Sequence, residues 1–212
     1  MENIVAIDGP CRLEGILSSG GSSRGVVVAH PHPLYGGEMH NPVVTALARA
    51  FAAHGWTSLR FNFRGVGNSE GNYDEGRGEV ADLVAACDFL ALSGIRELVV
   101  AGYSFGAWVI TRAVAAGHLL SEPLLLVSPP LAMLSCPPEL TLPNLALVVT
   151  GQFDEIAPPG LVGEQVSRWN PGAAFTVLEG CDHFYGGCLD ALTSRLNRWL
   201  ATAERGAGAN ER

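Results

Sequence analysis

The sequence predicts an α/β protein: a mostly parallel sheet with helices on both faces. Short apolar runs at 26–29, 124–127 and 145–150 read as strands buried on both sides, and they alternate with segments whose apolar residues recur at helical spacing. One of the strands, in the run 97–106, Glu-Leu-Val-Val-Ala-Gly-Tyr-Ser-Phe-Gly, leads straight into a serine with glycines two residues before and two after it. At 212 residues and 48% apolar content the chain can bury a full core. It is expected to form one domain over 1–202, with 203–212 as a polar, flexible tail.

Taken in order, 2–7 and 11–17 alternate around Asp8-Gly9-Pro10 as a two-stranded hairpin, and the serine- and glycine-rich stretch 18–23 is a loop. Strand 26–29 follows. Asn41 and Pro42 supply an N-cap and a first-turn proline for a helix whose inner face is Val43, Val44, Leu47 and Phe51, ended by Gly55. After strand 57–61 and a glycine-rich loop at 62–73, Val80, Leu83, Val84, Cys87, Leu90 and Ala91 mark a second helix, closed by Gly94. The serine-bearing strand then feeds helix 106–116. Strand 124–127, a proline-rich connection at 128–144 too short for a lid domain, strand 145–150, helix 160–169 and strand 174–178 come next. A last helix carries Leu189, Leu192, Leu196, Trp199 and Leu200.

Composition removes several function classes. A formal charge of −8 argues against a nucleic-acid or anionic-membrane surface, which needs clustered positive charge. All 13 basic residues are arginine, so a phosphate-binding loop lysine, a Schiff-base lysine and a Ser-Lys dyad are excluded. The start lacks a basic stretch followed by an apolar core, and no run of 18 apolar residues occurs; a cytoplasmic protein with no membrane partner is expected. The five cysteines, at 11, 87, 136, 181 and 188, are expected to be free thiols, because their number is odd and no Cys-x-x-Cys pair occurs.

In a parallel sheet, chemistry gathers at the carboxyl ends of the strands. Ser104 stands after one, Asp154 after the next but one, and His183 after the last, in the order serine, acid, histidine. A serine hydroxyl is a poor nucleophile at neutral pH; it needs an imidazole to take its proton and a carboxylate to orient that imidazole. Gly102 and Gly106 would let the backbone reverse sharply with Ser104 at the apex. A tetrahedral intermediate also needs two N–H donors. Phe105, after the serine, is one; the other must come from His30-Pro31-His32-Pro33-Leu34-Tyr35-Gly36-Gly37, where the prolines have no N–H, leaving His32 or Leu34. His30 and His32 also admit a metal-site reading, but no further ligand cluster stands at a suitable strand end, and no metal or other cofactor is expected. Gly65 and Gly67 lack the spacing of a dinucleotide site.

With these motifs in place, His30-Pro31-His32-Pro33 with Gly36-Gly37, the loop from Asn62 to Gly71, Gly102-Tyr103-Ser104-Phe105-Gly106 and Asp182-His183-Phe184, the chain resembles the α/β-hydrolase superfamily over about 2–200. Within it, the sequence is similar to small lidless bacterial predicted esterases related to dienelactone hydrolases. The resemblance implies an eight-stranded sheet with the second strand antiparallel, a triad of Ser104, Asp154 and His183, and His32 rather than Leu34 as the second oxyanion donor. Dienelactone hydrolases use a cysteine nucleophile where this chain has Ser104, so their substrate is not inherited. Arg64 lies in a loop that is often structural in this superfamily and is expected to buttress it rather than bind substrate. The expected activity is hydrolysis of small or short-chain carboxylic esters through an acyl-enzyme on Ser104. Its cleft would be bordered by Leu34, Tyr35, Pro129, Pro130, Leu131, Phe184 and Tyr185, in a monomer or homodimer. A thioesterase or amidase with the same triad, or a binding protein with an idle triad, are the alternatives.

Overall fold

The computed structural model describes residues 2–210, and for 203–210 the backbone alone. Eight strands form one sheet: β1 (Glu2–Ile7), β2 (Leu13–Ser18), β3 (Arg24–Ala29), β4 (Thr57–Phe61), β5 (Glu97–Tyr103), β6 (Leu124–Val127), β7 (Leu145–Gly151) and β8 (Ala174–Leu178). Their spatial order is β1-β2-β4-β3-β5-β6-β7-β8. β2 pairs antiparallel with both β1 and β4, and every pairing from β4 to β8 is parallel. The antiparallel second strand is as the resemblance implied.

The helices are α1 (Pro42–Ala53), α2 (Arg77–Leu92), α3 (Phe105–Ala115), α4 (Pro159–Trp169) and α5 (Leu189–Asn210), with a 3-10 turn at Pro33–Tyr35. Successive strand side chains point to opposite faces, so β3 divides its residues between two cores. Val26 and Val28 pack with Leu47 and Phe51 of α1 and with Leu192, Leu196 and Leu200 of α5. Val27 and Ala29 pack on the other face, with Leu83 and Leu90 of α2, Val109 of α3 and Val162 of α4. That is why the central strands read as unbroken apolar runs. α5 continues to Asn210 through most of the stretch expected as a tail; its side chains beyond 202 and residues 211–212 lie outside the described residues.

From β3 the chain crosses through α1 to β4 on one side, then returns through α2 to β5 on the other. This reversal opens a crevice above the carboxyl ends of β3 and β5, the place where such sheets bind ligands. Two close approaches at this point require glycine. A Cβ on Gly106 would lie 2.5 Å from the Ala29 carbonyl oxygen, and one on Gly102 would lie 2.6 Å from the Gly106 carbonyl carbon.

One expectation is corrected here. Cys181 and Cys188 are joined in a disulfide, while Cys11, Cys87 and Cys136 are free. The loop between β8 and α5 folds back on itself, bringing the two Cα atoms to 5.8 Å, within bridging range. A spacing of seven residues does not reveal that turn. No helix among the described residues is long and apolar enough to cross a membrane.

Candidate active site

Ser104 sits where β5 ends and α3 begins, with φ 54° and ψ −118°. A non-glycine residue rarely adopts positive φ, and here the neighbours hold it. Its N–H donates to Val127 of β6 at 2.9 Å, and its carbonyl accepts the Trp108 N–H at 3.1 Å. The reversal aims the hydroxyl at the ring of His183, which follows β8: Ser104 Oγ and His183 Nε2 are 2.9 Å apart. On the far side of the ring, His183 Nδ1 lies 2.9 Å from both Asp154 oxygens. Asp154, in the turn after β7, also accepts the N–H groups of Ile156 at 3.0 Å and Ala157 at 2.6 Å through Oδ1. It therefore both closes its own turn and faces the imidazole. Burial alone would push the Asp154 carboxyl up; bonds from His183, Ser128 and Ala157 outweigh it and hold the group below the usual carboxylate range. The carboxylate at 182 turns away and accepts the Phe184 N–H at 3.0 Å.

The His30–Gly37 loop forms the opposite wall. His30 is buried; its Nδ1 is 2.6 Å from the Pro31 carbonyl and its Nε2 is 3.0 Å from the Phe63 N–H. Nε2 must accept, so the proton is on Nδ1 and the ring is neutral. Burial pushes this imidazole down from 6.5 to about 4. In the unfolded chain it would protonate near pH 6.5, so the stability tied to its neutral form is complete above that pH and fades as the pH falls toward 4. A loss of roughly 3 kcal/mol is expected over that window. Urea unfolding at pH 7.5 and pH 5 should show this slope in the wild type and a much flatter one in His30→Gln; equal slopes would mean that His30 does not carry it.

His32 accepts the Leu34 N–H through Nδ1 at 3.2 Å, leaving Nε2–H to donate to the Tyr73 hydroxyl at 3.2 Å. Both nitrogens of both loop histidines are thus engaged within the protein. Among the described residues no group of three or more His, Cys, Asp or Glu is placed to hold a metal ion. The same bond spends the Leu34 N–H. The backbone N–H groups of His32 and Phe105 have no hydrogen-bond partner among the described residues, and both residues line the cleft with Ser104. Arg64 is held off the cleft by a bidentate pair with buried Asp82, at 3.0 Å and 2.7 Å, reinforced by its own N–H at 3.0 Å. It buttresses its loop, as the resemblance implied.

The cleft measures about 400 Å³. Of the border residues expected from sequence, Tyr35, Pro130 and Phe184 line it. Leu34, Pro129, Leu131 and Tyr185 do not. Leu34 points outward and is 66% exposed, Pro129 is buried at the end of β6, and Leu131 packs on the core. Tyr185 is sealed in the α1–α5 core with its hydroxyl on Ser128. The apolar wall is instead completed by Met133, Leu134 and Ile156. Nothing in their spacing marks them, because irregular loops have no periodicity from which to read a facing side.

The sequence model of the alpha/beta hydrolase family matches residues 26–208. An uncharacterized protein of Rickettsia prowazekii (strain Madrid E) is 31% identical over 211 residues, covering 91% of this chain and 86% of that one. A solved alpha-beta serine hydrolase homologue from Coxiella burnetii superposes with a TM-score of 0.85 at 35% identity, over 92% of this chain and 96% of that one. A Xanthomonas campestris protein, described as an α/β serine hydrolase without a lid, superposes with a TM-score of 0.83 at 31% identity, over 95% and 94% of the two chains.

Proposed function

Since the chain belongs to the alpha/beta hydrolase family, we propose that it is a serine hydrolase of small, short-chain carboxylic esters. The observation that carries this reading is the unbroken line of contacts at 2.9 Å from Ser104 Oγ through His183 to Asp154. Ser104 Oγ bonds to the acyl carbon while His183 Nε2 takes its proton and Asp154 stabilises the imidazolium. The carbonyl electron pair moves onto oxygen, which the N–H groups of Phe105 and His32 receive. Collapse breaks the ester C–O bond, and His183 returns the proton to the departing alkoxide. A water, deprotonated by the same imidazole, then releases the acid from the acyl-enzyme.

The short-chain preference rests on the size of the cleft and on its apolar wall of Pro130, Met133, Leu134 and Ile156. With Arg64 tied to Asp82, no arginine among the described residues lines the cleft to receive a substrate carboxylate, which separates this site from dienelactone chemistry. A fluorophosphonate that marks activated serines, together with p-nitrophenyl esters of two to twelve carbons and a matched thioester, tests the reading. Labelling and fastest turnover of the shortest oxygen esters are expected. Folded protein that neither labels nor turns over any of them would sink the proposal, and faster long-chain turnover would sink the chain-length part.

A further inference from the structure

His183 stands on the irregular connection between β8 and α5, residues 179–188, so bonds from other parts of the fold must fix its place. Near the start of this loop, Gln152 Oε1 accepts the Gly180 N–H at 2.9 Å, and the Cys181 carbonyl accepts the Phe153 N–H at 2.8 Å. Further on, the Tyr185 hydroxyl bonds the Ser128 hydroxyl at 2.8 Å. None of these touches His183. Among the described residues the only hydrogen bond to the His183 backbone comes from the Tyr103 hydroxyl, which donates to the His183 carbonyl at 2.8 Å.

Tyr103 is the last residue of β5, immediately before the nucleophile. Side chains alternate along the strand, so Val99, Ala101 and Tyr103 share the face that packs against α1 and α5, while the chain runs on into Ser104. The tyrosine is 3% exposed, and its ring stands 5.5 Å from the His183 ring, centroid to centroid. The attack and proton transfers described above do not use it. Burial pushes its phenol well up, and the nearby Asp154 charge adds to this, so the hydroxyl stays protonated and able to donate. One strand end thus delivers the nucleophile through its backbone and grips the base through the side chain just before it.

We propose that Tyr103 is a positioning residue of the site: its hydroxyl ties the His183 backbone to the strand that ends at Ser104 and so keeps Nε2 within reach of Oγ. This rests on the serine-hydrolase reading above. Tyr103→Phe removes the hydroxyl and keeps the ring, so the variant should fold, with its thermal midpoint lowered by a few degrees. Its kcat for a short p-nitrophenyl ester should fall about tenfold, since a misplacement of about 1 Å can cost about a hundredfold. KM should stay within about twofold, because the hydroxyl is engaged with the His183 carbonyl and acts on the chemical step. Acting through His183 also means that the losses should not multiply. In a His183→Ala background, Tyr103→Phe should change the residual hydrolysis by no more than about twofold. NMR of ¹⁵N-histidine-labelled protein reads the His183 Nδ1 proton without turnover, its downfield resonance being assigned by its absence in His183→Ala. That resonance should move upfield in Tyr103→Phe. Wild-type kcat in Tyr103→Phe, a further loss of about tenfold in the His183→Ala background, or an unmoved Nδ1 resonance would overturn the proposal. A wild type that neither hydrolyses nor labels would sink the serine-hydrolase reading, while the resonance would still decide whether Tyr103 sets the place of His183.

Discussion

Ser104→Ala is expected to lower kcat for short-chain aryl esters by on the order of 10⁴- to 10⁶-fold and to abolish fluorophosphonate labelling. The methyl group has no lone pair to attack with and no proton to pass to His183. What survives is binding of the ester beside the oxyanion donors, worth a modest acceleration over water. The fold should hardly notice. The one side-chain hydrogen bond given up is to His183 Nε2, at a group that remains 6% exposed beside an open cleft. The backbone strain at φ 54° is common to serine and alanine, so it does not change. Thermal unfolding should therefore move by only a few degrees. An alanine variant keeping more than a hundredth of wild-type kcat would place the nucleophile elsewhere.

Asp154→Asn should cost about 10⁴ in kcat, through the tautomer of His183 rather than through the fold. Oδ1 of residue 154 receives the Ile156 and Ala157 N–H groups at 3.0 Å and 2.6 Å, so an asparagine must place its carbonyl oxygen there. Its NH₂ then occupies the second carboxylate position, 2.9 Å from His183 Nδ1. Oδ1 is also 2.9 Å from Nδ1 but already accepts two N–H groups, so the NH₂ favours the tautomer in which Nδ1 accepts and the proton is on Nε2, where His183 can no longer receive the proton of Ser104. Labelling should slow in parallel with kcat. The variant should also alter acid unfolding. In the wild type the Asp154 carboxyl titrates below its ordinary value, so its contribution is complete above the unfolded carboxyl value and is lost as the pH falls through the lower folded one. Asparagine has no such titration, and that part of the acid limb should vanish. Activity within tenfold of wild type would show that residue 154 does not orient the histidine.

How much of this was legible in the sequence depends on the range of the forces involved. Val26 to Ala29 announced a doubly buried strand because hydrophobic burial acts on every residue of the run. Asn41-Pro42 announced the start of α1 because capping is local: Asn41 Oδ1 accepts the Val43 N–H at 2.9 Å. Gly102 and Gly106 announced the turn at Ser104 because only glycine fits within 2.6 Å of the facing backbone. Serine, acid and histidine could be assigned to strand ends for the same reason: strands alternating with helices run parallel, and their carboxyl ends share one edge of the sheet.

Side-chain direction in the irregular loops was not legible. Tyr185, two residues after His183, was expected at the cleft; a left-handed backbone at φ 57° turns it into the core onto Ser128. Leu34 and His32 were equal candidates by the residues alone until the imidazole of one was found to occupy the N–H of the other. Cys181 and Cys188 looked unpaired because their approach depends on the fold of a single loop. By itself the sequence determined the order of elements, the sheet and the strand ends at which chemistry-bearing residues stand, since periodicity, burial and backbone sterics are written into neighbouring residues. Only the tertiary structure decided which loop side chains face the cleft, which donors are spent and which hydroxyls reach Asp154, because those contacts join residues far apart in the chain and depend on ångström-scale backbone turns.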